Sequence, residues 1–281
     1  MAIESLELPI ASEDGHCSTL LARIPAQPSR SLLWLPALGV AARHYLPFAE
    51  TLAERGVAVF VHEWRGHGSS NLRASRRCDW GYRELLQLDL PASEAAVQAA
   101  APSMPRVIGG HSLGGQLACC RLALQPHAAH SLWLVASGSP YWREFPTRRR
   151  WLLPFAYRFL PWLAHVRGAL PGRAVGFGGN EARSLIRDWA RTGLSGRYAA
   201  ANLDTDLEAA LRDVRADARA VVFRDDWMAP DTSLRFLLSK LAPAEETILS
   251  FDAESLGTAA DHFAWLKHPA RVADALSAEA G

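Results

Sequence analysis

The chain has 281 residues, 49% hydrophobic and 21% charged, with 30 Lys and Arg against 29 Asp and Glu for a net charge of +1. This excludes collagen-like, low-complexity and disordered chains and leaves no electrostatic case for nucleic acid as a partner. The length suggests one large domain or two small ones, with a core that needs no disulfide or metal staples.

The N-terminus, MAIESLELPIASEDG, lacks a basic region followed by an apolar one, so no signal peptide is expected. Ser5–Ile10 and Ser18–Pro25 flank the turn Glu13-Asp14-Gly15 and read as a hairpin. Ser31–Leu35 is a buried apolar run. The wider apolar stretch Leu32–Ala42 contains Pro36 and Gly39 and is too short to span a bilayer. His44–Arg55 has helical spacing and stops at Gly56, and Val57–His62 is β-branched. Tyr82–Ala101 reads as a long helix kinked or broken at Pro91. Arg106–Gly110 (strand), Leu113–Leu124 (helix) and Ser131–Ala136 (strand) follow. Such alternation argues for a mostly parallel sheet covered on both faces.

The pattern breaks between about Ser139 and Asp217. Aromatics crowd its first third, from Tyr141 to Trp162. Prolines at 140, 146, 154, 161 and 171 are expected to prevent long regular elements there. A Gly-rich patch, Gly172–Gly179, lacks the G-K-[ST] ending of a phosphate loop and precedes a helical run through Trp189. Alternation resumes with Ala220–Arg224, Thr232–Leu241, Thr247–Phe251 and Phe263–Ala278, the last broken near Pro269. The cysteines at 17, 78, 119 and 120 form no C-x-x-C pair and no Cys/His cluster, so no metal is expected. Buried reduced thiols fit a reducing compartment, and a cytoplasmic location is expected.

The most informative motif is Gly110-His111-Ser112-Leu113-Gly114, a G-x-S-x-G between a strand and a helix. Holding a serine above a sheet needs a sharp turn. Glycines two residues to either side let neighbouring backbone approach, and the helix start behind the serine offers unpaired N–H groups. A serine hydroxyl also needs a base, and the base an orienting acid.

On these residues the chain resembles the α/β-hydrolase superfamily over nearly its whole length. The family order is Ser, acid, His; Ser112, Asp226 and His262 follow it. Pro230 stands four residues after Asp226 and Pro269 seven after His262, as family members often have it. Asp225 stays open as an alternative acid, and His268 as a rival base inside the last helix. Trp64-Arg65-Gly66-His67-Gly68-Ser69-Ser70 resembles the family's D-x-R-G-x-G-x-S loop, with Glu63 near the usual Asp. Gly138–Arg143 and Asp225–Pro230 resemble a group of predicted bacterial α/β-hydrolases.

The resemblance implies an α/β-hydrolase fold with a mostly parallel central sheet flanked by helices. Residues 1–138 and 218–281 would form the catalytic core and 139–217 a helical cap. It implies a serine hydrolase acting on a small-molecule acyl substrate, a carboxylic ester first of all, with no cofactor and no membrane span. Many members have His-Gly in the oxyanion loop; here it reads Pro36-Ala37-Leu38-Gly39, and the N–H groups of Leu38 and Leu113 are the candidate donors. Trp142, Trp227 and His111 are the candidate substrate contacts, and the cap's aromatics are expected to roof an apolar pocket. His67 reads as a solvated loop histidine. Arg148-Arg149-Arg150 reads as a solvated face balanced by Glu144, Glu181 and Asp188. The alternatives are a prolyl-aminopeptidase-like peptidase using one of those acids to hold an amine, an acyltransferase, and a non-catalytic binding protein on this scaffold.

Overall fold

Short runs that are apolar on both faces become the inner strands of one sheet. In the computed structural model, which describes residues 2–278, the strands are β1 (Ile3–Ala11), β2 (Cys17–Pro25), β3 (Arg30–Leu35), β4 (Val57–Val61), β5 (Arg106–His111), β6 (Ser131–Val135), β7 (Asp217–Phe223) and β8 (Glu246–Phe251). They lie in the order β1-β2-β4-β3-β5-β6-β7-β8. The hairpin β1–β2 is antiparallel, with Ile3 opposite Pro25 and Ala11 opposite Cys17, and β2 meets β4 antiparallel. Every other pairing is parallel.

Seven helices matter here: α1 (Leu46–Ala53), α2 (Leu90–Ala100), α3 (Leu113–Leu124), α4 (Leu153–Arg167), α5 (Arg183–Ser195), α6 (Asp231–Leu238) and α7 (Ala270–Ser277). One face of the sheet packs on α1 and α7 through Trp34, Phe48, Leu52, Val272 and Leu276. The other packs on α2, α3 and α6 through Val97, Leu117, Leu234 and Leu237. Both faces are therefore covered, as a parallel sheet requires. No helix among the described residues is long and apolar enough to cross a membrane. Cys119 and Cys120 are buried, and burial pushes the Cys119 thiol up to about 12. Cys17 is exposed and Cys78 half-buried.

Two boundaries differ from expectation, and a third meets it: the helical run from Tyr82 to Ala100 is interrupted just before Pro91. The chain makes a wide i→i+5 turn over Leu85–Asp89, and Pro91 then falls in the first turn of α2, where a missing N–H leaves no bond unmade. Strand β7 begins at Asp217 rather than Ala220, because Asp217, Ala218 and Arg219 carry no β-branched signal yet pair with Ser131–Trp133 of β6. Pro161 fails to stop α4, which runs for 15 residues through it. An interior proline costs about 3 kcal/mol; here the helix is held by packing of Leu160 and Ala164 against Leu170 and Ile186.

Between β6 and β7 no segment joins the main sheet. This insertion holds α4, α5 and a two-residue ribbon pairing Leu170–Pro171 with Asn180–Glu181. Its inner face touches the core at Leu38.

Candidate active site

Ser112, Asp226 and His262 come from loops following β5, β7 and β8, at the carboxyl ends of parallel strands, where open α/β sheets place their ligands. Ser112 sits between β5 and α3 with φ +55°. That conformation costs a non-glycine residue about 1–3 kcal/mol, and bonds on both sides hold it. Ser112 N–H donates to Val135 C=O at 3.1 Å, and Ser137 Oγ donates to Ser112 C=O at 2.7 Å. The flanking glycines are steric requirements. A Cβ on Gly110 would lie 2.4 Å from Gly114 backbone, and one on Gly114 would lie 2.0 Å from Leu35 C=O.

His262 Nδ1 donates to Asp226 Oδ2 at 2.7 Å. The other carboxylate oxygen, Oδ1, accepts from Met228 N–H at 2.8 Å and Ala229 N–H at 3.2 Å. Asp226 is buried, whereas Asp225 is exposed and its N–H donates to Ala260 C=O. Of the two neighbouring acids, it is thus Asp226 that meets His262. His262 Nε2 is buried and has no hydrogen-bond partner among the described residues. An orphaned buried nitrogen opposite a carboxylate-bound one is what a proton acceptor needs. Ser112 Oγ makes no hydrogen bond to it in this structure, and nucleophile–base contacts are commonly looser before substrate binds.

The Pro36–Leu38 loop is oriented through its neighbours. Trp64 Nε1–H donates to Pro36 C=O at 2.8 Å, and Ala37 N–H donates to Tyr45 Oη at 2.8 Å. Val40 N–H donates to Ala37 C=O. In a planar trans peptide the N–H points opposite to the C=O, so turning Ala37 C=O toward Val40 aims Leu38 N–H away from it. Leu113 N–H belongs to the first turn of α3 and has no intrahelical acceptor. Trp64 and Tyr45 were not legible as site residues: a tryptophan beside an R-G-x-G loop and a tyrosine before a helix carry no pattern that announces an orienting role.

His111 was expected to contact substrate, but it is fully enclosed. Its Nδ1 lies 2.8 Å from Tyr45 Oη and its ring centroid 4.8 Å from that of His262. Tyr45, already accepting from Ala37, has one proton left to give to Nδ1. Burial, and then the neighbouring His262, hold His111 well below the ordinary histidine range. It is a neutral ring supporting His262 from behind. Trp142 is half-buried, with the guanidinium groups of Arg143 and Arg150 over its ring. Trp227 is exposed, with that of Arg149 4.2 Å from its ring centre. Trp227 also lines an open depression of about 680 Å³ beside Asp226 and His262.

His67 is not solvated. It is largely buried, with Nε2 3.3 Å from Glu181 Oε2, and Glu181 also accepts from Gly179 N–H at 2.6 Å. These two residues line a cavity of about 10 Å³ with Leu38, Trp64, Trp80 and Leu113, room for no more than one water. Asp188 is spent on structure, accepting from Tyr82 N–H at 3.0 Å and pairing with Arg191. Trp151 and, on α4, Phe155, Phe159 and Trp162 do not roof a pocket, being 50–74% exposed, whereas Tyr157 is buried and its hydroxyl donates to Pro140 C=O. No group of three or more potential metal-ligating side chains occurs among the described residues.

A family model described as serine aminopeptidase, S33 (Hydrolase_4) matches residues 26–242, a span that holds Ser112 and Asp226 and stops before His262. A search of curated proteins returns no match. Among solved structures, DcsB in complex with its substrate analogue is similar with a TM-score of 0.65 at 13% identity, covering 98% of each chain. The Pyrococcus furiosus esterase Pf2001 gives 0.59 at 13% identity, covering 98% of this chain and 91% of that one. The Paleococcus ferrophilus monoacylglycerol lipase gives 0.60 at 17% identity, covering 92% and 98%. At these identities the likeness is one of fold.

Proposed function

The chain belongs to the serine aminopeptidase S33 (Hydrolase_4) family of the α/β-hydrolase superfamily, and from that premise we propose that it is a serine hydrolase cleaving a carboxylic ester or related acyl compound. Residues 1–138 and 218–281 form its catalytic core and 139–217 its cap. Ser112 Oγ attacks the acyl carbon while His262 Nε2 takes its proton. Asp226 fixes the His262 tautomer and stabilises the imidazolium. Leu38 and Leu113 N–H groups bind the developing oxyanion. The imidazolium returns its proton to the leaving alkoxide. Water, deprotonated by His262, then attacks the acyl-enzyme and releases the acid and Ser112. The observation that carries this reading is the orphaned Nε2 of His262, backed by a carboxylate that two backbone N–H groups hold in place.

Buried Glu181 favours a second reading. It lines the same small cavity as Leu38 and Leu113, and were that cavity to open, its carboxylate would be placed to hold the amine of an aminoacyl substrate. Against it, that carboxylate already has two partners, His67 and Gly179. Turnover of p-nitrophenyl esters and of aminoacyl p-nitroanilides separates the two. Ester hydrolysis without anilide hydrolysis is expected. Efficient anilide hydrolysis that Glu181→Gln abolishes, with little ester turnover, would replace the ester reading with the peptidase one.

A further inference from the structure

Helix α4 is apolar on two opposite faces. Tyr157, Leu160 and Ala164 are buried, and α4 packs on α5. At about 100° per residue, Leu152, Phe155, Phe159, Trp162 and Val166 fall about 180° away, and they are 48–74% exposed. Their spacing of three and four residues makes one continuous stripe, about 22 Å long at 1.5 Å per residue. A helix with apolar residues all round is ordinarily buried; this one has only one side covered.

The charge around the stripe is one-sided. Residues 145–180 contain six arginines (148, 149, 150, 158, 167 and 173) and no Asp or Glu, in a chain whose net charge is only +1. None of the six forms an ion pair among the described residues. Of the acids expected to balance them, Glu181 and Asp188 are each 1% exposed and turned to inner partners, and half-buried Glu144 pairs with none of the six among the described residues. Arg158 flanks the stripe on one side and Arg167 on the other, while Arg148–Arg150 lie at its N-terminal end beside Trp151.

We propose that this outer face of α4 docks on an anionic lipid surface, with the helix in the plane of the interface. Phe155, Phe159 and Trp162 enter the acyl boundary, and the arginines reach phosphate headgroups. Charge complementarity selects this occupant. A two-fold contact with a second copy would set this arginine-rich face, none of whose arginines is ion-paired among the described residues, against itself. An acyl substrate is no better fit, because the stripe lies opposite the face whose Leu160 and Ala164 belong to the cluster that Leu38 packs against.

The inference goes beyond the proposed hydrolase chemistry, and its readouts need no turnover. The full chain, as wild type and as Ser112→Ala, is sedimented with large vesicles of phosphatidylcholine, with or without about one third phosphatidylglycerol, and Trp emission is followed. Both proteins are expected to bind the anionic vesicles at least about tenfold more tightly than neutral ones, with a blue shift and with weakening in salt. Phe155→Ser/Phe159→Ser/Trp162→Ser should abolish binding with an unchanged melting temperature, since all three side chains are exposed. Arg148→Gln/Arg149→Gln/Arg150→Gln should weaken it roughly a hundredfold. Failure to bind anionic vesicles, equal binding to neutral ones, or wild-type binding by the aromatic variant overturns the proposal. So does a concentration-dependent dimer that the aromatic variant dissociates.

Discussion

Asp226→Asn is expected to lower kcat about 10⁴-fold with little change in KM. The reason lies in which oxygen is occupied. Oδ1 accepts two backbone N–H groups, from Met228 and Ala229, so an amide keeps its oxygen there and turns its NH₂ toward His262. Nδ1 can then only accept, which leaves the proton on Nε2, and His262 loses its capacity to deprotonate Ser112. The substitution is nearly isosteric and preserves both backbone bonds, so the melting temperature should stay close to wild type. Asp225→Asn, at an exposed side chain, should leave kcat within about twofold. Steady-state kinetics on a p-nitrophenyl ester decides it. Equal losses in the two variants would contradict the assignment of the acid.

Arg65→Leu is expected to destabilise the fold by about 3–5 kcal/mol, because it strands a buried charge. Arg65 donates to both oxygens of Asp89 at 2.6 and 2.8 Å and to both of Asp14 at 2.6 and 3.0 Å. Asp89 also accepts from Ser12 Oγ at 2.6 Å and His16 Nδ1 at 2.9 Å. Burial alone would raise its carboxyl, but the hydrogen bonds from His16 and Arg65 outweigh it and hold it down at about 2. In the wild type this ionised Asp89 contributes fully above its unfolded value near 3.8 and loses its contribution as pH falls through about 2. In the variant, burial acts without the guanidinium. Asp89 protonates at a higher pH, and the deficit seen at pH 7 should narrow as pH falls toward 4. Urea unfolding at pH 7 and pH 4.5 measures this; a deficit under 1 kcal/mol at pH 7 would mean that the network carries little of the stability. Arg65 adjoins Trp64, which holds Pro36 C=O, so the same network braces the loop that carries Leu38.

The strand–helix alternation, the sharp turn at Ser112 and the strand-end positions of Asp226 and His262 were legible because each rests on a local rule. A parallel strand reads as an apolar run, a sharp turn demands glycine, and a strand end is marked by a break in pattern. The orienting contacts of Tyr45, Trp64 and His111 were not legible. They join residues distant in sequence, as Tyr45 and His111 do, through single hydrogen bonds. Helix α4 departs from expectation twice for one reason: proline and aromatic content do not say which side of a helix meets protein. Packing on one side overrides Pro161, and on the other Phe155, Phe159 and Trp162 stand exposed while Tyr157 is buried. Glu181 and Asp188 illustrate the converse: counted as balancing surface charge, they lie inside.

The central claim is that Ser112 is a nucleophile activated by His262. A fluorophosphonate probe followed by intact mass and peptide mapping tests it most directly. One adduct per chain on Ser112 is predicted, absent in Ser112→Ala and formed far more slowly in His262→Ala. A wild-type chain that stays unlabelled, or a Ser112→Ala chain that labels and hydrolyses esters as before, would contradict it.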